Sequence, residues 1–317
     1  MPMIAVVFPG QGSQRPGMGM SLYQETEAGR KVFDEVSEAT GLDMAEVCFR
    51  FSDEDLRRTE NAQIALFTCG LAAWFATRDR LEITVDNFAG HSVGEYPAIV
   101  AAGVLTVGEG AKLVRKRGEI MAASGREKPG TMAAVLGLER DILEQVVRDV
   151  ADQGICVVAN DNSPGQVVIS GDTNAVAAAS ALAGERGAKR VVPLNVSGAF
   201  HSPLMAEPAK QMGLALAAAP FGEVPQKHVV YANVTAAKVK HALEWPGLLE
   251  QQLMSPVRWT ESIRAMASDG ITTFVECGVG EVLCGLIRRI DPSAKTLKVV
   301  DTATLDEAVN QLQAVSV

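Results

Sequence analysis

No Cys-x-x-Cys pair occurs in this sequence, and its five cysteines (Cys48, Cys69, Cys156, Cys277, Cys284) are odd in number and scattered. That argues against a disulfide framework and a cysteine zinc site, and fits reduced thiols in a cytoplasm. Positive charge is also scarce. Twenty-nine basic side chains against 38 acidic ones leave a net charge of −9, the wrong sign for non-specific binding of nucleic acid or an anionic membrane. Long apolar runs are missing too. The longest, Ile64 to Ala76, is interrupted by Thr68 and followed by Arg78, Asp79 and Arg80. It is too short to cross a bilayer and reads as a buried helix. The N-terminal MPMIAVVFPGQG has no basic segment before its apolar stretch and no small-residue cleavage site after it, so no secretory signal is expected. The expected setting is cytoplasmic, away from nucleic acid and membrane.

What is present is core-forming material. Of 317 residues, 47% are hydrophobic and 21% charged, enough for two domains or one large domain carrying an insertion. Residues 4–8 (IAVVF) form a continuous apolar run that stops at Pro9-Gly10, the pattern of a strand buried on both faces. Helical patterns follow at about 21–40, 62–80, 94–102 and 107–124. Between 131 and 194 the character changes: TMAAVLGL, ICVVAND, QVVIS and KRVVPL read as strands, and DILEQVVRDVA and 174–186 as helices. That order, β-α-β-β-α-β, is the ferredoxin-like arrangement. It sits inside a longer α/β pattern that resumes near 204.

Three residues carry the chemical signal. Gly90-His91-Ser92-Val93-Gly94 matches G-x-S-x-G, whose glycines allow a tight strand-to-helix turn that lifts the serine hydroxyl clear of the sheet. Ser92 then lies at a helix start, where backbone N–H groups can meet a developing oxyanion. On the helix near 110–123, Leu113, Val114, Ile120 and Met121 mark an apolar face, and Arg117 falls at its centre. A charge aimed into a core needs an anion: either an internal Asp or Glu, or a ligand carboxylate or phosphate held bidentately. His201, in Ser197-Gly198-Ala199-Phe200-His201-Ser202-Pro203, is either a general base or a satisfied polar group. Pro9-Gly10-Gln11-Gly12-Ser13-Gln14 follows the first strand and permits close backbone approach to a ligand. No Gly-Lys-Ser/Thr follows, so this is not a Walker A loop.

Six ordered segments span nearly the whole chain: PGQGSQ at 9–14, GHSVGE at 90–95, LVRKRG at 113–118, NDNSPGQVVISG at 160–171, GAFHSP at 198–203 and QLMSPVRW at 252–259. Together they resemble the malonyl-CoA:acyl carrier protein transacylase family of type II fatty-acid synthesis. The resemblance implies an α/β-hydrolase-like large domain (1–128 and 199–317) with an inserted ferredoxin-like small domain (129–198). It implies Ser92 as nucleophile and His201 as its base. Arg117 becomes the clamp on the malonyl carboxylate, with Met121 beside it, and the backbone N–H groups of Gln11 and Val93 become the oxyanion hole. The main-chain carbonyl of Gln252 would orient His201. Asn162 would line the cleft, and Phe200, in Ala-Phe-His, accompanies malonyl selectivity in related acyltransferases.

The implied reaction passes malonyl from malonyl-CoA through a serine ester to the phosphopantetheine thiol of acyl carrier protein. Coenzyme A thioester is then a substrate, and no metal or other cofactor is expected. A monomer is expected, and Lys189, Arg190 and Arg126 are candidates for a basic patch facing an acidic carrier. A serine esterase or thioesterase would share Ser92 and His201 but gives no reason for Arg117. A non-catalytic carrier-binding module would need none of the three. Two departures from the family pattern stand out: Gln63-Ile64 replaces Gln-Pro, and Gly278-Val279-Gly280 replaces Gly-Pro-Gly. Both are expected to affect helix starts and turns, leaving the reacting groups alone.

Overall fold

A computed structural model describes residues 3–127, 129–196, 198–223, 225 and 227–314. Lys128 and Ser197, beside the two expected domain junctions, lie outside the described residues. The chain folds as a mixed α/β protein with two sheets. The larger sheet runs, edge to edge, Lys295–Val299, Ile271–Cys277, Met3–Phe8, Asn87–Gly90, Val229–Ala232 and Ala237–Lys238. Its neighbours are parallel except for the final pair. The apolar run at 4–8 is interior, as its composition requires. Ile4, Val6 and Phe8 point into one core while Ala5 and Val7 point into the other, the period-two alternation of a strand covered on both sides.

The smaller sheet is antiparallel throughout, in the order Cys156–Ser163, Gln166–Gly171, Thr131–Leu136, Arg190–Pro193. Helices Arg140–Asp149 and Thr173–Glu185 share a separate core with it, including Val135, Leu143, Val146, Ile169 and Ala179. This sheet is stitched to the rest of the chain near its long strand. Asp161 N–H donates to Val257 O at 3.0 Å, and Val257 N–H donates to Ala159 O at 2.9 Å.

The long apolar stretch lies within helix Thr59–Arg78, buried on nearly every side. Ile64 is well inside that helix, so the departure from Gln-Pro falls past the helix start, contrary to the expectation from sequence. Val279 packs into the larger core. The pattern at 21–40 is two helices, Met20–Glu25 and Glu27–Thr40. Thr26 divides them because its extended backbone lets its hydroxyl accept from Gly29 N–H at 3.0 Å, an N-cap inside the apolar periodicity. Two short helices escaped the sequence reading, Met44–Phe49 and Asp53–Arg57, each opened by a side-chain cap, Asp43 and Ser52. No described helix is long and apolar enough to cross a membrane.

Candidate active site

The site forms where strands Met3–Phe8 and Asn87–Gly90 end side by side, with Phe8 paired to Gly90. Beyond Gly90 the chain reverses so sharply that a Cβ on Gly90 would stand 1.8 Å from Gly94 O, and one on Gly94 would stand 2.2 Å from Phe8 O. Only glycine fits both positions. Ser92 takes φ 54°, left-handed backbone that costs a serine about 1–2 kcal/mol. Asn233, just past strand Val229–Ala232, clamps this turn: its Oδ1 accepts from Ser92 N–H at 2.7 Å and its Nδ2 donates to Gly90 O at 2.6 Å. A short 3-10 turn, Ser92–Gly94, then leads into helix Glu95–Ala101.

His201 also takes a left-handed backbone, φ 58°, and its Nε2 lies 2.9 Å from Ser92 Oγ. Its Nδ1 lies 2.8 Å from Gln252 O and 3.1 Å from Ser255 O. A carbonyl can only accept, so Nδ1 carries the proton and Nε2 offers its lone pair to the serine hydroxyl. Burial, the Arg117 charge and His91 lower the imidazole to about 3, against the two carbonyls that favour its charged form. The ring is therefore neutral at physiological pH and free to take a proton. NMR of the labelled ring should show no titration of His201 between pH 8 and 5. A midpoint near the ordinary value of about 6.5 would mean that water and counter-charge reach the ring.

Arg117 lies on helix Val107–Glu127, fully buried among the residues of its apolar face, while Arg115 and Glu119 pair on the exposed side at 2.9 Å. Of the two partners the sequence left open, an internal carboxylate is not in contact. Among the described residues no Asp or Glu lies within ion-pair distance of this guanidinium. Nη1 donates to Gln63 Oε1 at 2.7 Å, and Nη2 donates to Gln252 Oε1 at 2.9 Å and to Ser92 Oγ at 3.1 Å. Neutral groups hold the cation in place without cancelling it, and burial lowers its own value. Behind Gln252 lies Glu95, buried, accepting from the Gln252 Nε2 and from Asn233 N–H. Burial pushes its carboxyl up to about 7, against those two hydrogen bonds and the Arg117 charge.

Ser92, His201, Arg117, Gln63 and His91 line a cavity of about 90 Å³ that also includes Gln11, Val93, Met121 and Phe200. Asn160, Met132, Leu194 and Val196 close its far wall from the smaller sheet and the following connection. Asn162 is placed differently from the sequence expectation. Its Oδ1 meets His91 Nε2 at 2.8 Å, and it is Asn160 that lines the cavity. Gln252 reaches the site through its main-chain carbonyl and its amide. Lys189, Arg190 and Arg126 do not make one patch. Arg190 pairs with Leu136 at one end of strand Thr131–Leu136. Arg126 precedes the other end, a strand length of about 17 Å away.

Three residues have a place in the site that the sequence analysis does not assign them: Glu95, Gln63 and Asn233. Glu95 ends the GHSVGE segment, and a carboxylate next to a nucleophile turn is a usable signal. Gln63 is a lone amide in an otherwise apolar helix face, also readable. Asn233 follows a short strand with nothing to distinguish it. Among the described residues no group of three or more His, Cys, Asp or Glu could hold a metal ion.

Residues 5–304 match the family model described as acyl transferase domain. The chain is 42% identical over 316 residues to the malonyl CoA-acyl carrier protein transacylase of Bacillus subtilis (strain 168), covering 99% of this chain and 98% of that one. It is 36% identical over 307 residues to the enzyme of that name from Haemophilus influenzae, covering 96% and 98%. The crystal structure of malonyl-CoA:acyl carrier protein transacylase from Xanthomonas oryzae superposes with a TM-score of 0.94 at 41% identity, covering 98% of each chain. A malonyl-transacylase solved in complex with a type II PKS acyl-carrier protein gives 0.93 at 35% identity, covering 98% of this chain and 99% of that one. The chain belongs to the acyl transferase domain family, among the malonyl CoA-acyl carrier protein transacylases, and is an acyltransferase.

Proposed function

We propose that this acyltransferase moves malonyl from malonyl-CoA to the phosphopantetheine thiol of an acyl carrier protein, through a malonyl ester on Ser92. The observation that carries the reading is that a neutral imidazole and an uncancelled guanidinium converge on one hydroxyl, at 2.9 and 3.1 Å. An esterase needs the first contact only. The second suits an acyl group ending in a carboxylate, which a guanidinium fork meets with two parallel hydrogen bonds.

In this scheme Ser92 Oγ attacks the thioester carbonyl carbon while its proton passes to His201 Nε2. Backbone N–H groups of Gln11 and Val93 receive the oxyanion, a contact typically worth about 3–4 kcal/mol per donor. The tetrahedral intermediate collapses, the C–S bond breaks, and coenzyme A leaves with the proton from His201. The carrier thiol then gives its proton to His201 and attacks the ester, and Ser92 recovers the proton as leaving group. Every step is assigned to side chains and backbone, so the scheme calls on no metal or redox group. The same reading supplies fatty-acid elongation from a cytoplasmic monomer. It takes the large sheet with its helices as an α/β-hydrolase-like domain (1–128 and 199–317) and residues 129–198 as a ferredoxin-like insert. The strand order of the smaller sheet and its separate core support that division.

Mixing with malonyl-CoA should release one equivalent of coenzyme A in a burst, then almost none until a carrier thiol is added. Steady release into water would indicate an esterase, and no release a binding module. Phe200, buried on the cavity wall, is expected to occupy the space an α-methyl branch needs. Malonyl-CoA should be preferred over methylmalonyl-CoA by about 10- to 200-fold in kcat/KM, the ordinary reach of a one-methyl discrimination. Equal values for the two thioesters would remove Phe200 from that role.

A further inference from the structure

We propose that Glu95, which touches neither Ser92 Oγ nor the cavity, is a positioning residue. It acts by holding the Gln252 amide in the one orientation that presents Arg117 to an acyl carboxylate. The inference rests on the malonyl-transfer reading above.

Gln252, fully buried at the end of helix Trp245–Gln252, is the hub of the site. Its main-chain carbonyl accepts from His201 Nδ1–H, its Oε1 accepts from Arg117 Nη2, and its Nε2 donates to Ser92 O at 3.0 Å. A primary amide has one accepting and one donating end. Turned over, it would set NH₂ against the guanidinium N–H and oxygen against Ser92 O, two repulsive contacts in a dry interior. Glu95 fixes the donating end from behind. Both its oxygens accept, one from Asn233 N–H and one from Gln252 Nε2, so a carboxylate fits and an amide does not. In Glu95→Gln the new side chain keeps its oxygen on Asn233 N–H and points NH₂ at the Gln252 NH₂. Gln252 then turns over or is pushed away, and Arg117 loses the acceptor that aims it. His201 is untouched by this, because it is held by the main-chain carbonyls of Gln252 and Ser255. The acyl-transfer machinery should survive while carboxylate selection fails.

The test measures kcat and KM for malonyl-CoA and acetyl-CoA, with thermal unfolding, in the wild type, Glu95→Gln, Gln252→Ala and the double variant. Glu95→Gln should lower malonyl kcat/KM by roughly 10- to 100-fold, the effect of losing a hydrogen bond to a charged group, mainly through KM. Acetyl transfer should change much less. Gln252→Ala should lower the malonyl-to-acetyl ratio as well, and the double variant should be no worse than Gln252→Ala, because Glu95 acts through that side chain. A folded Glu95→Gln that loses both acyl groups by the same factor, or losses that multiply in the double variant, would overturn the proposal. Should Glu95→Gln not fold, Gln252→Ala decides alone, since an unmoved ratio there leaves Glu95 nothing to act through. The wild-type control separates the two readings. Absence of a malonyl adduct removes the transfer reading itself, whereas normal transfer with an unmoved ratio removes only Glu95.

Discussion

Ser92→Ala is expected to abolish the malonyl adduct in intact-protein mass spectrometry and to cut transfer by about a millionfold, the usual loss when a serine nucleophile and its base act as a unit. The large factor follows from geometry. Among the described residues the hydroxyl is the only atom within hydrogen-bond reach of both His201 Nε2 and Arg117 Nη2 that can form an ester. Its removal leaves Arg117 with Gln63 and Gln252 and leaves His201 with its two carbonyls. The fold should hardly notice. The left-handed backbone at position 92 burdens alanine about as much as serine, and the clamp from Asn233 is made to the backbone N–H, which alanine retains. Unfolding within a few degrees of wild type, with no adduct, is the expected pair of results. An adduct that persists in Ser92→Ala would move the nucleophile elsewhere, and among the described residues no other hydroxyl is paired with His201.

What was readable in the sequence divides along a physical line. The two-faced strand at 4–8, the all-round apolar helix and the small antiparallel sheet announce themselves through local periodicity, and each appears within a few residues of its expected bounds. The inward direction of Arg117 was readable for the same reason, since a helix face is fixed by a 100° step. Its partners were not. Gln63, Gln252 and Ser92 come from three elements 25 to 135 residues away, and no local pattern records which side chains meet across such distances. Asn162 shows the complementary failure. Asn160 and Asn162 share a strand and a motif, but a register shift between Val158 and Asn160 and another between Asp161 and Ser163 interrupt the ladder there. Irregularities of that kind re-aim side chains, and sequence alternation does not reveal them. Thr26 is a third case, where one cap outweighed a periodicity that ran straight through it.

Arg117→Ala is expected to reduce kcat/KM for malonyl-CoA by about 30- to several-thousand-fold, because removing one partner of a buried charge pair costs about 2–5 kcal/mol. Acetyl-CoA should behave differently, for two reasons that act in the same direction. The buried guanidinium is held by amides and a hydroxyl, none of which cancels its charge. A neutral acyl group entering the cavity must therefore share a dry space with an unpaired cation, and removing the cation removes that penalty. The second reason runs through His201. Burial is the main cause that depresses the imidazole to about 3, and the Arg117 charge depresses it further, which makes it a weak base. A bound malonyl carboxylate offsets that charge and returns part of the basicity at the moment the correct substrate arrives, whereas acetyl leaves both causes in place. Without Arg117 the imidazole value should rise in part, with burial still holding it below the ordinary range, so acetyl transfer should hold steady or increase while malonyl transfer collapses. Arg117→Lys should recover only part of the malonyl rate, since an ammonium supplies the charge without the two parallel hydrogen bonds. Kinetics with both thioesters, set beside the NMR titration of His201 in the same variants, check both halves. Equal losses for malonyl and acetyl in a folded Arg117→Ala, with no movement of the imidazole, would make Arg117 a packing residue that selects nothing.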